Sequence, residues 1–489
     1  MSVFSDSIKK ILSLHTNDSD TPKVMDRARE SDNHIHPKDT EYQLVLETYQ
    51  KQRQEQDNFS ICHAPFKNLY FGHRGSVTAC CYNRLFELGR WPELTIRQIW
   101  NGEKADELRN SLKNNSLTKG CSCCEVQLLA HNFTALKASQ FDGDKLNTNR
   151  FPSVFEFELD NTCNLECVMC SAEFSSSIAN RLGRKHYESP YNEKFIDELN
   201  EFIPHLEQAK FYGGEPFMIK PYYDIWDRIV AIHPACQISI QTNATFLNTR
   251  ITDLLEKGTF ILNISIDSLN KENYEQIRVN ANFEKVMENI DYFYNYSLRK
   301  KCAFSISACM MKQNWFEAPD FVNFCNEKNI KLYFHTVFTP VSSSLSSLSK
   351  KEIEKIIGAL QAVNFDSAST NVQKANVNHY NGFVNQLVQW SRNEAAKIAL
   401  AKAQGLKDWE ALYDLIRKIG DEKYGNTKEI NKATQFATHL REIASEMGIE
   451  NDNYFPQTID IVSFTMEFEN LAELPKSRIK ELMEKDIFR

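Results

Sequence analysis

Cys163, Cys167 and Cys170 lie in the run Asp160-Asn161-Thr162-Cys163-Asn164-Leu165-Glu166-Cys167-Val168-Met169-Cys170, directly after a strand-like stretch. The spacing is C-x3-C-x2-C. Three thiolates are one short of the four that close an iron–sulfur cube, so one iron would stay open, and an open iron is where chemistry can happen. The competing reading is a zinc knuckle. Zinc pairs usually read C-x2-C with a fourth Cys or His nearby, and no such ligand closely follows Cys170.

A second candidate is Gly213-Gly214-Glu215-Pro216. Two glycines let the backbone approach a ligand closely, and a carboxylate accepts hydrogen bonds from an ammonium group. Cys309 is a third. It shares a strand face with Ser305 and Ser307, and a thiol there could donate a hydrogen atom to a bound substrate. The plainer reading of Cys309 is a buried small hydrophobe.

These residues need elements to hold them. Strand candidates are Val154–Leu159, Gln208–Tyr212, Gln237–Thr242, Phe260–Asp267, Ala303–Met310 and Lys331–Val337, and helical stretches alternate with them. Six such units predict a parallel, right-handed α/β sheet curled into a partial (β/α)6 barrel, two units short of a closed eight-fold one. Several strands alternate apolar with polar residues, for example Leu262, Ile264 and Ile266 with Asn263, Ser265 and Asp267. The apolar set should face the helices, leaving the polar set for a lumen that holds water, cofactor and a polar substrate. Alternatively, those polar residues satisfy one another.

Around the barrel unit (151–340) the sequence divides into a polar N-terminal segment (1–55), a cysteine-bearing unit (56–150) and a mostly helical C-terminal region (341–489). A Ser-rich link ends the barrel unit, and Ser349-Lys350-Lys351-Glu352 reads as a capping box. The 489 residues carry 42% hydrophobic and 25% charged residues, ordinary for a globular protein. A net charge of −8 gives no reason to expect nucleic acid or an anionic membrane as partner. No apolar run is long enough to span a bilayer, and the N-terminus lacks a signal-peptide core, so a cytoplasmic protein is expected. Thirteen cysteines in such a chain suggest metal ligation rather than disulfides.

Taken together, the C-x3-C-x2-C run, Gly213-Gly214-Glu215-Pro216, Thr242-Asn243, Ile264-Ser265-Ile266-Asp267-Ser268 and Tyr274-Glu275-Gln276-Ile277-Arg278 resemble the radical S-adenosylmethionine (radical SAM) superfamily. The resemblance implies a 4Fe-4S cluster on Cys163, Cys167 and Cys170, whose open iron chelates SAM and cleaves it to a 5′-deoxyadenosyl radical. It further implies that Gly213, Gly214 and Glu215 hold the methionine amino group. Ser265 and Arg278 would hold its carboxylate, with Asn243 and Asp267 on the ribose side. Met169 departs from the aromatic usual beside the last cysteine.

Upstream, Cys62, Gly75 and Cys80 (C-x12-G-x4-C), then Thr95–Gly102 and Cys121-Ser122-Cys123-Cys124, resemble the opening of the SPASM domain and its shorter relative, the twitch domain. That resemblance implies a second, auxiliary 4Fe-4S cluster on Cys62, Cys80, Cys121 and Cys124, without an open iron and suited to electron transfer. Zinc would suit four thiolates equally well, and Cys81 or Cys123 could replace a neighbour. Such modules normally follow the barrel, whereas this one precedes it.

The expected activity is hydrogen abstraction from a polar small molecule or glycan, ending in oxidation or epimerisation, with reduced flavodoxin or ferredoxin as electron donor. The first alternative is a maturase acting on a peptide or protein. The second is a non-catalytic Fe–S electron-transfer protein.

Overall fold

The computed structural model describes residues 40–392 apart from 54–58, 85, 130–132, 134–135, 143–150, 185–187, 338–339, 341 and 366–367. Beyond 392 it describes 409–416 in part, 427–447 and a few positions near 476–480. The expected N-terminal segment before Thr40, and much of the C-terminal region, lie outside the described residues.

Among the described residues, nine strands form one sheet in the order β3-β2-β1-β4-β5-β6-β7-β8-β9. The last six are β4 (Val154–Phe157), β5 (Gln208–Phe211), β6 (Gln237–Thr242), β7 (Phe260–Ser265), β8 (Phe304–Met310) and β9 (Lys331–Thr336). They run parallel to their neighbours, with helices between them, and so supply the six units of the expected α/β architecture. The Lys137 ammonium acts electrostatically on both Glu156 of β4 and His335 of β9.

Alternation decides which face each side chain takes. Phe155 and Phe157, Ile238 and Ile240, Leu262 and Ile264, and Ile306 are buried against the helices. Phe157 stacks between Phe71, at 5.3 Å, and Phe211, at 4.9 Å, and Phe211 meets Trp226 edge-on. Burying each such ring contributes roughly 1.5–3 kcal/mol, so this aromatic row fixes the register of the first strands. The covering helices carry their own boundary signals. In Thr249–Lys257 the Asn248 side chain accepts from Ile251 N, the buried face is Ile251, Leu254 and Leu255, and Gly258 ends it.

Ahead of the six units, β1 (Asn68–Phe71) pairs in parallel with β4, and β2 (Ser76–Thr78) and β3 (Gly89–Arg90) add antiparallel beyond it. The cysteine-bearing unit is thus continuous with the barrel sheet. At the other edge, the helix Asn371–Arg392 covers β9. Asn376 accepts from Leu332 N at 2.8 Å and donates to Ile330 O at 2.9 Å, occupying backbone groups that an edge strand leaves open. Ser349 and Glu352 form the capping box at the start of Lys350–Gln361.

Candidate active site

The loop after β4 carries Cys163, Cys167 and Cys170, and the Gly-Gly turn after β5 supports it. Gly214 N donates to Asp160 O at 3.2 Å and Glu215 N to Thr162 O at 2.7 Å. A Cβ on Gly214 would stand 2.2 Å from Thr162 O, and Gly213 has φ +93 and would meet Asp160 O at 2.6 Å. No side chain fits there, which is the physical reason for the two glycines. The far end of the loop is fastened by Glu166 N to Val279 O at 3.0 Å and Val168 N to Ile277 O at 2.9 Å.

All three cysteines are half-buried residues. Burial pushes Cys167 up to about 12, and Cys170 also rises, first through burial and then through Cys167 and Cys163 beside it. Ionising such a trio requires a strongly cationic partner, and iron supplies that charge.

Glu215 is fully buried. Its Oε1 accepts from Thr242 Oγ1 (2.7 Å) and Phe217 N (3.2 Å), and Oε2 accepts from Asn243 N (2.7 Å). Burial lifts its carboxyl to about 7 against these three bonds. Asn243 donates to Asn164 Oδ1 at 3.2 Å and lies 3.9 Å from Cys163 Sγ, so it ties the end of β6 to the cluster loop.

Arg278 and Asp267 form a buried ion pair, with Nη2 to Oδ2 at 2.7 Å. Asp267 Oδ1 also accepts from Cys309 N at 2.7 Å. Arg278 Nε is buried with no hydrogen-bond partner. A guanidinium edge unsatisfied beside three cysteines fits a ligand carboxylate, and so fits the methionine end of SAM. Ser265 accepts from Gln241 Nε2 at 2.6 Å. Cys309 packs near Val168 and Met169 of the cluster loop, and burial raises its thiol.

Cys62, Cys80, Cys121 and Cys124 all line one cavity, together with Lys137 and Phe141. Among the described residues, no three His, Cys, Asp or Glu side chains gather tightly enough to hold a single metal ion. A four-iron cube is wider than one ion, and thiols set around a void suit it. Cations lie close by, since Cys62 acts electrostatically on Arg53 and Cys80 on Lys137. They offset the charge that four thiolates would bring. The side chain of Cys123 lies outside the described residues, and Cys81 senses Lys137, Glu156, Arg84 and Glu158.

The lumen wall combines both expectations for its polar face. Asn263 donates to Ser239 Oγ at 2.9 Å and accepts from Ser305, while Ser307 pairs with His335 Nε2 at 3.3 Å. Yet Gln241, Asn263, Ser265 and Cys309 stay partly accessible, and His335 is exposed. Surrounding protein and two nearby cations or imidazoles, Lys137 and His379, nevertheless pull the His335 imidazole down to about 4. The polar side of β6 to β9 thus carries hydroxyl, amide and imidazole groups.

The wall on β4 and β5 is charged. Glu158 meets Arg84 at 3.1 Å and His73 Nδ1 at 3.3 Å, and Glu156 lies 3.6 Å from Lys137 and 3.8 Å from Lys210. The alternation of Glu156 and Glu158 is visible in the sequence. Lys137, Arg84 and His335 gave no such signal, because each acquires its role from a partner on a distant element.

A family model for the radical SAM superfamily matches residues 158–325, and a model for an iron–sulfur cluster-binding domain, SPASM, matches 62–125. A GTP 3′,8-cyclase of Listeria welshimeri is 25% identical over 228 residues, 45% of this chain and 66% of that protein. A probable GTP 3′,8-cyclase of Methanocella arvoryzae is 28% identical over 142 residues, 28% of this chain and 42% of its own. The chain thus spans less than two thirds of the length of these relatives. Among solved structures, native anSMEcpe with bound AdoMet aligns over 42% of this chain and 57% of its own, at 20% identity and TM-score 0.33. Streptococcus suis SuiB bound to its precursor peptide SuiA covers 57% and 62%, at 14% identity and TM-score 0.31. No helix among the described residues is long and apolar enough to cross a membrane.

Proposed function

We propose that this chain, a radical SAM enzyme with a SPASM-type iron–sulfur region ahead of its barrel, takes hydrogen from a polar small molecule or glycan. One observation carries the substrate class. The polar side of β6 to β9 carries hydroxyl, amide and imidazole groups, which match the hydroxyls of a sugar or polyol without demanding a charge from it. The relatives named GTP 3′,8-cyclase act, by that name, on a nucleotide, which favours a small molecule over a peptide.

With its 4Fe-4S cluster bound, SAM is a source of the 5′-deoxyadenosyl radical, which takes hydrogen from unactivated carbon. The chain's part is positioning. Cys163, Cys167 and Cys170 hold the cluster, and the Gly213–Glu215 turn offers its surface to the methionine ammonium. The free edge of Arg278 takes the carboxylate, and the Asp267 ion pair keeps that edge aimed. Ser265 joins Arg278 on the carboxylate side, and Asn243 and Asp267 lie toward the ribose. Cys309, at the top of β8, is placed to give its thiol hydrogen to a substrate carbon radical. One electron from reduced flavodoxin or ferredoxin and one proton from water then restore the thiol, and the product is an epimer.

The test uses anaerobically reconstituted protein with SAM and reductant, against monosaccharides, amino sugars, nucleotide sugars and peptides, each carbon-deuterated. A sugar should transfer deuterium to 5′-deoxyadenosine, and in deuterated water its epimer should carry solvent deuterium. Cys309→Ala should then form 5′-deoxyadenosine without epimer. Transfer from peptides alone would overturn the substrate class. A product lacking two hydrogens would replace epimerisation with oxidation.

A further inference from the structure

Lys137 opens the short helix Lys137–Phe141, in the cysteine-bearing unit. Its side chain is only 10% exposed and lines the cavity of the four auxiliary cysteines. Its ammonium lies 3.6 Å from Glu156 Oε1, on a carboxylate with no exposed surface at all. Glu156 is held from the barrel side by Asn68 Nδ2 at 3.1 Å, the Tyr212 hydroxyl at 3.4 Å and Lys210 at 3.8 Å. One buried cation is thereby shared between the auxiliary cysteines and Glu156 of β4. A buried charge is tolerated only when opposite charge compensates it, and here the compensation comes from two directions.

We infer that Lys137, with Glu156 as its counter-charge, sets the reduction potential of the auxiliary cluster. The inference rests on the four-thiolate cluster in that cavity. Reduction adds one electron to the cluster, and an ammonium at its edge stabilises the added negative charge. Glu156 opposes this by spending part of the lysine's field on a carboxylate. Charge on Glu156 and charge on the cluster thus act on each other through one side chain. No part of this requires Lys137 to touch substrate; it is a positioning residue for charge.

The two partners must shift the potential in opposite directions, and a packing defect would not do that. In the reconstituted full chain, redox titration followed by electron paramagnetic resonance reads both clusters. Lys137→Gln should make the auxiliary cluster harder to reduce by about tenfold in the reduction equilibrium, about 59 mV for one electron. Glu156→Gln should make it easier to reduce by a similar factor, and Lys137→Arg should stay near wild type. The cluster on Cys163, Cys167 and Cys170 serves as internal control and should not move. Unshifted potentials, shifts of the same sign in both Gln variants, or loss of auxiliary iron from both would overturn the role of Lys137. About four irons in the wild type would instead remove the auxiliary cluster itself, a failure separable from that of Lys137.

Discussion

Arg278 carries two relationships that mutation can separate. It neutralises Asp267 inside the protein and keeps a buried Nε without a hydrogen-bond partner. Arg278→Ala should lower SAM affinity by about one to two orders of magnitude, since a charge-assisted bond is worth roughly 1.5–3 kcal/mol. It should also destabilise the fold by about 3–5 kcal/mol, because the Asp267 carboxylate is left buried alone. Adding Asp267→Asn should restore thermal stability but not SAM binding by equilibrium dialysis. If the double variant regains both, Arg278 is structural only. Glu215→Ala should also weaken SAM binding, and it removes the acceptor that holds Thr242 and Asn243. Glu215 and Arg278 were legible in the sequence because each sits in a short local motif. The Arg278–Asp267 pairing was not, since that motif reading placed Asp267 on the ribose side, and nothing local shows two residues eleven positions apart folding together.

For the elements, the informative contact is the Gly-Gly turn under the cluster loop. With Thr162 O 2.2 Å from any Cβ at Gly214, Gly214→Ala must push the loop aside. The expected result is loss of about four irons and of SAM cleavage, with the auxiliary iron retained. Full iron content in that variant would show that the loop can move without cost. At the sheet edge, Asn376→Ala strips Leu332 N and Ile330 O of their partners, which should lower stability by about 1–3 kcal/mol in a denaturant titration. The six barrel strands were readable almost to the residue; Gln237–Thr242 coincides and Val154–Leu159 runs two residues past the observed Phe157. Alternation supplied that signal. The strand Asn68–Phe71 escaped because it is four residues long, buried on both faces and without period, so nothing separates it from a turn or helix fragment.

Across the whole molecule, anaerobic reconstitution should yield about eight irons per chain. Replacing Cys163, Cys167 and Cys170 should remove half of them and all SAM cleavage. Replacing Cys62, Cys80, Cys121 and Cys124 should remove the other half and leave SAM cleavage measurable. Stoichiometric zinc with about four irons would contradict this. The order of the units along the chain was plain from the cysteine spacings. Their merger into one sheet was not, because a parallel partner can lie anywhere downstream and leaves no trace in local pattern.

That merger has a consequence for synthesis. When β1 leaves the ribosome its parallel partner does not yet exist. Translation at roughly 5–20 residues per second takes several seconds more to deliver β4. Through that interval Leu69 and Phe71, fully buried in the finished protein, have β2 on one side and lack the strand that pairs with them on the other. The leading segment therefore cannot mature as an independent folding unit, and cluster insertion into its cysteines must wait for, or accompany, the barrel. A fragment ending near residue 150 should aggregate or remain susceptible to proteolysis even with iron and sulfide supplied. The same fragment extended through β5 should gain protection over β1.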